Sequence, residues 1–426
     1  MEYRKTIETL PETDVLVCGG GPAGIMAALA AARCGASVTL LERQSFLGGM
    51  ATAAMVAPVS EFMLRGEPVV GGLPREFIDR IAALGGGKLC APKGHFVFHP
   101  EVYKLAAQRM LLEAGVQLHL EATIFDCAAQ DGQIGPVLFC DRSGVHAISG
   151  RYVIDATGDG EISLRAGVPM QEDGPCQPAT LCFLLGGVHT EQLRNYYPGL
   201  PQGTHGSTIA PVHDLLQTMR GIPPFGGPWC CAGVGAGTGI VNMTRCAVDM
   251  ADARQATEAT CRLREDVFTF VELLRENFAE FRDCYLLATG SVVGTRQTRH
   301  IRGVHVLRGE EYRHAVHFPD AIARCAHPID IHSADGSEQR LEYLEEAAYL
   351  PYRSMIAAGF ENLLVPSRCF SADAEAFAGA RVQASVMGLG QAAGAAAAQC
   401  AAAKCSVHAA DVPGLQAVLR QWGAYI

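Results

Sequence analysis

The stretch Asp14-Val-Leu-Val-Cys-Gly-Gly-Gly-Pro-Ala-Gly24 starts as a short apolar strand and ends in glycines spaced Gly19-x-Gly21-x-x-Gly24. An alanine-rich segment from Ile25 to Arg33 follows, and a second apolar strand, Ser37-Val-Thr-Leu-Leu41, ends at Glu42. Two apolar runs separated by turn glycines and a helical segment predict a strand–turn–helix–strand unit. Such a unit is typical of an α/β dinucleotide-binding fold.

Each residue type in this turn has a predicted role. Gly19 permits the tight turn, Gly21 lets the backbone approach a pyrophosphate, and Gly24 lets helix and strand pack closely. Pro22 and Ala23 follow the turn and are also expected cofactor contacts, because the free N–H groups and positive dipole end of the next helix favour a phosphate. Glu42 is placed to accept hydrogen bonds from the adenosine ribose hydroxyls.

Two further segments point to FAD as the dinucleotide. One is Arg43-Gln-Ser-Phe-Leu-Gly-Gly-Met-Ala-Thr52, and the other is Arg151-Tyr-Val-Ile-Asp-Ala-Thr-Gly-Asp-Gly160, a strand that ends in small residues. Together with the glycine turn they resemble the glutathione-reductase-like FAD superfamily, in which the turn, the acid and a later Ala-Thr-Gly strand contact one FAD. The resemblance implies cofactor contacts from Arg43, Gly48, Gly49, Met50, Ala156, Thr157, Gly158 and Asp159.

The C-terminal half resembles a bacterial family of FAD-dependent oxidoreductases related in fold to the fumarate reductase flavoproteins. The matching blocks are Gly294–Gly303, Phe318–Arg324, Pro328–His332, Leu350–Ser354, Asn362–Ser371, Arg381–Gln383 and Gly388–Gly394. The chain departs from the family pattern at Ser367, where glycine is expected, and residues 186–281 match no pattern. These departures leave the substrate open.

The resemblance implies a Rossmann-like FAD-binding domain with a parallel sheet, discontinuous in sequence and built from residues 1–60, 100–187 and 343–426. Residues 61–99 and 188–342 would form an inserted α+β substrate or cap domain. The Gly388–Gly394 segment predicts a turn into an alanine-rich helix, whose N–H groups would face the flavin ring. Cofactor contacts are therefore expected from Gly390, Gln391 and Ala392.

Candidate catalytic residues lie in the C-terminal blocks. Arg296 is a candidate clamp for a carboxylate or phosphate. His332 suits proton transfer near neutral pH, and Tyr352 and Arg353 could orient a polar substrate. Each of these also has a structural interpretation, and Arg299 and His300 are expected to be structural or exposed.

Two histidines outside those blocks alternate with apolar residues. His95 and His99 share one face of a predicted strand. This leaves metal binding open and favours solvent exposure, and no metal site is predicted elsewhere. None of the 16 cysteines forms a C-x-x-C pair, which disfavours structural zinc and iron–sulfur sites. The neighbours Cys230 and Cys231 are interpreted as loop or core residues.

Composition excludes other classes of protein. Across 426 residues the net charge is -10 and basic residues form no long runs, so nucleic acid is not an expected partner. Residues 1–10 lack the apolar core of a signal peptide, which favours the cytoplasm. The uncharged stretch Ala384–Ala403 is rich in Ala and Gly, so we expect a buried helix and no membrane contact.

The expected function is that of an FAD-dependent oxidoreductase, a dehydrogenase, reductase or oxidase that transfers a hydride between a small polar metabolite and FAD. The second electron donor or acceptor is not identified, and a homo-oligomer is compatible with the sequence. The sequence contains no second glycine fingerprint, so a built-in NAD(P)H domain is not expected. The alternatives are a flavin-dependent monooxygenase, since Gly158-Asp-Gly160 resembles hydroxylase motifs, and a non-catalytic FAD-binding protein.

Overall fold

A computed structural model describes residues 6–90, 93–171, 174, 176–192, 229–334 and 339–426. The strands in these ranges are β1 (Glu8–Thr9), β2 (Thr13–Cys18), β3 (Val38–Leu41), β4 (Met63–Leu64), β5 (Glu67–Pro68), β6 (Gly87–Cys90), β7 (His95–Phe98), β8 (Gln117–His119), β9 (Thr123–Gln130), β10 (Gln133–Cys140), β11 (Val145–Ile148), β12 (Gly150–Asp155), β13 (Phe183–Gly186), β14 (Trp229–Ala232), β15 (Gly239–Asn242), β16 (Tyr285–Thr289), β17 (Ala321–Cys325), β18 (Ile329–His332), β19 (Gln339–Glu342), β20 (Ala348–Pro351) and β21 (Leu363–Leu364). The helices are α1 (Pro22–Arg33), α2 (Leu73–Ala83), α3 (Pro100–Glu113), α4 (Glu161–Arg165), α5 (Ala253–Asn277), α6 (Gly309–Arg313), α7 (Ala374–Ala380), α8 (Gln383–Ala403) and α9 (Val412–Gln421).

A five-stranded parallel sheet in the order β21-β12-β2-β3-β8 organises the fold. Residues 15–18 of β2 are all buried, as expected for a strand covered on both faces. Helix α1 connects β2 to β3 and starts at Pro22, three residues before the predicted start, because proline suits the first helical position. The predicted Rossmann-like α/β fold is therefore confirmed.

Helix α8 packs along α1 beneath this sheet, and most of its residues are buried. A Cβ atom added to Gly390 would lie 2.2 Å from the Ala23 carbonyl oxygen, and one added to Gly394 would lie 2.0 Å from that of Ala27. The small residues thus let two helices approach closely. This confirms the buried helix expected for Ala384–Ala403. No helix within the described ranges is both long enough and apolar enough to cross a bilayer.

A second hydrophobic core lies under the four-stranded antiparallel sheet β14-β15-β13-β16. Residues 179–188 of this part pack against α5, where Leu263, Val267 and Phe270 are buried. The loop predicted at Gly221–Pro228 and the side chains of Cys230 and Cys231 lie outside the described residues. This core shares no buried residue with the one that packs against the central sheet.

The packing divides the chain differently from the expected domains. In residues 61–99, Phe62, Phe77 and Phe96 are buried in the same core as Val17 of the central sheet. Residues that contribute to the same core also come from β17, β18 and the segment before β20, among them Ile322, Ile329 and Leu344. We therefore favour a cap limited to about residues 179–293, with 61–99 assigned to the nucleotide-binding side; the domain division itself stays a prediction.

Candidate active site

One cavity opens at the carboxyl ends of β2, β3 and β12, the edge at which open α/β sheets bind ligands. Loops that follow these three strands form its first wall. The predicted cofactor residues that line it are Gly19, Gly21, Pro22, Ala23, Glu42, Arg43, Gly49, Met50, Ala156, Thr157 and Gly158. The sheet thus gathers segments that are more than a hundred residues apart in sequence.

The glycine turn shows why three different positions lack a side chain. Gly19 has a φ of +105°, and a Cβ there would lie 2.5 Å from the Ala156 carbonyl oxygen. A Cβ at Gly24 would lie 1.9 Å from the Gly19 oxygen, so this glycine serves packing and does not line the cavity. A Cβ at Gly21 would find only Gly49 Cα, at 3.9 Å. Gly21 therefore borders open space, where a pyrophosphate fits.

The first turn of α1 faces the same space. Its N-cap, Gly21, provides no side-chain hydrogen bond, which leaves N–H groups for a ligand. The buried Glu42 carboxylate accepts hydrogen bonds from Gly20 N (2.7 Å) and Gln44 N (2.8 Å). Burial raises the pKa of Glu42, although these backbone N–H groups act against the shift. Carboxylate oxygens keep further acceptor capacity, so Glu42 fits the ribose of an adenosine.

Gly48 and Asp159, two other predicted contacts, do not line the cavity. A Cβ at Gly48, whose φ is +114°, would meet the side chain of Thr52, so Gly48 shapes the turn that presents Gly49. Asp159 forms an ion pair with Arg368 and accepts from Thr298 Oγ1 at 3.1 Å. Burial acts to raise the pKa of Asp159, but the Arg368 guanidinium outweighs it and the pKa is lowered. The pair positions Arg368, which does line the cavity.

The predicted turn at Gly388–Gly394 is wrong. These residues lie inside α8, which begins at Gln383, and Gln391 Oε1 accepts a hydrogen bond from Leu73 N at 3.1 Å. Gly390, Gln391 and Ala392 therefore pack against α1 and α2 and not at the cavity. The residues of this helix that line the cavity are Val382, Gln383 and Val386, and Val382 adds no side-chain cap. Because Ala and Gly recur along the whole segment, its composition does not indicate the residue at which the helix begins.

Arg296 lines the opposite wall, together with two arginines that the sequence did not single out. Its Nη1 donates to Pro178 O (2.6 Å) and to Thr180 Oγ1 (2.6 Å). Arg245 Nη1 donates to the same Thr180 oxygen at 3.0 Å. Arg381, at the end of α7, is the third, and its Nη2 lies 3.6 Å from Asp330 Oδ2. Arg381 belongs to a recognised block, whereas no sequence signal marks Arg245.

This group carries an excess of positive charge. Burial first, and then repulsion from Arg245 and Arg381, lowers the pKa of Arg296; burial lowers that of Arg245 to about 10. Guanidinium groups nevertheless stay protonated in proteins. Burial acts to raise the pKa of Asp330, but its contacts with His332 and Arg381 hold that pKa below its usual range. Among the described residues, Asp330 is a carboxylate whose charge acts on all three arginines.

His332 lies beside the arginines and lines the cavity, with 4% of its surface exposed. Its Nε2 is 3.3 Å from Asp330 Oδ2, and its backbone N donates to Gln177 Oε1 at 3.2 Å. Burial and the charge of Arg296 lower the pKa of His332 to about 3, against the influence of Asp330. The imidazole is therefore neutral near pH 7.

Tyr352 and Arg353 do not line the cavity, so the structure gives no support to their catalytic role, which stays a prediction. The buried Tyr352 hydroxyl donates to Val407 O at 2.9 Å. Arg353 is half-exposed and pairs with Asp320 at 2.9 Å. Both residues lie in a 3₁₀ turn at the end of β20 that anchors surrounding loops.

The expectation of solvent exposure is wrong for His95. Its side chain is buried, lines the cavity, and lies 3.1 Å from Glu61 Oε1. His99 is exposed and caps α3 by accepting from Glu101 N. His300 is buried against Phe377. Within the part of the chain that the structure describes, no group of three or more His, Cys, Asp or Glu side chains is arranged to hold a metal ion.

The chain was compared with known proteins. Residues 14–419 match the family model described as FAD dependent oxidoreductase. Digeranylgeranylglycerophospholipid reductase 1 of Methanopyrus kandleri is 31% identical over 165 residues, which cover 38% of this chain and 44% of that protein. Digeranylgeranylglycerophospholipid reductase 2 of the same organism is 32% identical over 189 residues, which cover 42% of this chain and 46% of that protein. The chain thus spans less than half the length of these curated relatives.

Solved structures show similarity at the level of the fold. A flavoprotein/dehydrogenase from Cytophaga hutchinsonii superposes with a TM-score of 0.50 at 14% identity, over 97% of this chain and 86% of that one. A geranylgeranyl bacteriochlorophyll reductase-like protein from Thermoplasma acidophilum gives 0.49 at 14% identity, over 98% and 83%. Because the family model spans nearly the whole chain, and because the glycine turn, Glu42 and the start of α8 fit a dinucleotide, the protein belongs to the FAD dependent oxidoreductase family, and FAD is its cofactor.

Proposed function

We propose that the enzyme transfers a hydride between FAD and a small metabolite that carries an oxyanion, and that Arg296, Arg245 and Arg381 bind this oxyanion. One observation supports this most strongly: a single oxygen, Thr180 Oγ1, accepts from both Arg296 and Arg245. Two guanidinium groups are held close together although their charges repel. A carboxylate or phosphate offers the charge and the paired acceptors that such groups bind.

The energetics support the same proposal. Buried guanidinium groups that repel one another are costly, and the charges of Arg245 and Arg381 both destabilise protonated Arg296, while Asp330 acts to stabilise all three. An anionic ligand would relieve this repulsion.

The position of the cluster relates it to the cofactor site. FAD supplies the hydride chemistry, and the chain holds and orients it through the glycine turn, Glu42 and the uncapped start of α8. Arg381 lies two residues before α8, so the arginines adjoin the helix end that would receive the flavin ring. A substrate held there would lie beside the ring.

The test is anaerobic mixing of the oxidised holoenzyme with a panel of anions, followed by the visible absorbance of the flavin. We expect some carboxylates to perturb or bleach the spectrum, and Arg296→Gln to weaken their binding about 10- to 100-fold with FAD content retained. The matched control is Arg254→Gln, because that side chain is 88% exposed on α5. Equal anion affinity in wild type and Arg296→Gln would refute the proposal.

The panel includes a phosphate ester as well as carboxylates. The curated relatives are named as reductases of a phospholipid, and a phosphate is also an oxyanion. Bleaching by NADPH with incorporation of oxygen into the substrate would instead support a monooxygenase. A flavin that no donor reduces would support a binding protein.

A further inference from the structure

His332, Arg296 and Arg245 all form hydrogen bonds with one short segment, residues 177–180. Gln177 binds the His332 backbone, Pro178 O accepts from Arg296, and Thr180 bridges to Arg245. This segment is itself fixed by backbone hydrogen bonds between Thr180 and Gly294. The anion-binding groups and the histidine therefore form one rigid constellation.

The contacts of His332 determine which ring nitrogen carries the proton. Asp330 is ionised and lies 3.3 Å from Nε2, while Asp330 Oδ1 accepts from Gln339 Nε2 at 2.7 Å. In a neutral imidazole next to a carboxylate, Nε2 carries the hydrogen and Nδ1 keeps the lone pair. Nδ1 has no hydrogen bond to the described residues. His332 thus presents a base whose orientation is set by Asp330.

We propose that His332 is the general base of the proposed reaction and that the substrate is a 2-hydroxy carboxylate. The carboxylate binds Arg296 and Arg245, and the hydroxyl on the adjacent carbon faces His332 Nδ1. The O–H bond breaks and its proton passes to Nδ1. The C–H bond of the same carbon breaks, its hydrogen and electron pair pass to FAD, and the C=O bond of a 2-oxo acid forms. This inference rests on the proposed function.

The electrostatics add a link between substrate binding and basicity. Asp330 on β18 raises the pKa of His332, whereas Arg296 and Arg245 lower it from two other segments. A bound carboxylate would offset the two guanidinium charges and raise the pKa of His332 from its low value in the free protein. Because binding raises this pKa, the protein with protonated His332 binds a carboxylate more tightly. The carboxylate should therefore bind more weakly as the pH rises through the pKa of His332 in the complex. His332→Gln should abolish this dependence.

The experiment compares wild type with His332→Gln and with His314→Gln, whose side chain is 67% exposed on the surface. Three measurements are made on each holoenzyme: FAD content, the affinity for oxalate from the flavin spectrum, and the rate of anaerobic flavin reduction by glycolate, lactate and malate. Alanine and glutamate replace the hydroxy acids as amine donors. Each rate is measured as a function of pH.

We expect one or more hydroxy acids to reduce the wild-type flavin. His332→Gln should lower that rate about 10²- to 10⁴-fold and remove its decline at acid pH, because Gln cannot accept the proton. Its FAD content should be unchanged, and its oxalate affinity at high pH should stay within about threefold of wild type. Asp330→Asn should give a smaller loss of rate, because Asp330 acts only by positioning His332.

Several results would overturn the inference. They are a His332→Gln rate close to that of wild type, an unchanged pH profile in that variant, or reduction by the amino acids alone. Failure of every hydroxy acid overturns this substrate class. The proposed function fails separately, when Arg296→Gln leaves anion affinity unchanged.

Discussion

The glycine turn and the arginine–histidine constellation are two walls of one cavity, and they are built in opposite ways. The turn and its acid come from a single stretch, residues 19–42, in which backbone geometry does most of the work. The constellation takes side chains from β18 and from segments around residues 180, 245, 296 and 381. A local motif can be recognised by spacing alone, whereas a site of distant side chains exists only after folding.

The largest effect is expected where the backbone itself borders the cofactor. Gly21→Val would place a branched side chain in the space that the pyrophosphate needs, so the purified variant should contain no FAD. Its flavin-to-protein absorbance ratio measures this. Gly135→Ala, in β10 and away from the cavity, is the matched control and should retain FAD. A Gly21→Val protein with full FAD occupancy would contradict the role given to the turn.

The next prediction separates packing glycines from cofactor glycines. Gly390→Ala would press a methyl group against the backbone of Ala23, and neither helix can yield easily. We expect the free energy of unfolding to fall by about 1–3 kcal/mol, the usual effect of overpacking. In Gly388→Ala, on the same helix, the new methyl group would contact only the Ala323 side chain, at 3.1 Å. This variant should therefore lose less stability. Chemical denaturation compares the two, and equal stabilities would argue against the tight α1–α8 contact.

Glu42→Gln tests the acid at the far end of the turn. The amide keeps the shape but loses the charge, and the NH₂ group that replaces one carboxylate oxygen cannot accept the hydrogen bond from Gly20 N or Gln44 N that this oxygen accepted. Apoprotein titrated with FAD should show an affinity about 10- to 100-fold lower, the loss of a charged hydrogen bond. Glu76→Gln, which breaks an exposed pair with Arg33, is the control. Unchanged FAD affinity would remove Glu42 from the cofactor site.

The smallest effect is expected for Arg353, which the sequence grouped with the catalytic candidates. It is 46% exposed and pairs with Asp320 away from the cavity. Exposed ion pairs contribute about 0–1 kcal/mol, so Arg353→Gln should barely change the unfolding free energy. Anion affinity and FAD content should equal those of wild type. A loss of anion affinity comparable to that of Arg296→Gln would restore Arg353 to the site.

For two parts of the site, the sequence indicated the structural element but not its position or its burial. The family blocks pointed to a helix end at the flavin, but Gly388–Gly394 is helix interior, and Val382 and Gln383 lie at the cavity instead. His95 alternates with apolar residues as a surface histidine would, yet a neighbouring carboxylate, Glu61, makes its burial tolerable. Periodicity reports which residues share a face and does not report what covers that face.

The sequence alone determined the nucleotide-binding unit and the α/β class, because a tight turn, a phosphate-binding helix start and close helix packing each demand particular residues at fixed spacing. The choice of FAD came from the resemblance of later segments to a flavoprotein superfamily. Only the tertiary structure decided which arginines meet. Arg245 comes from the segment after β15, Arg296 from the segment after β16 and Arg381 from the end of α7, and Thr180 accepts hydrogen bonds from the first two. These charges meet because segments far apart in sequence fold around one cavity, and no short-range pattern records that meeting.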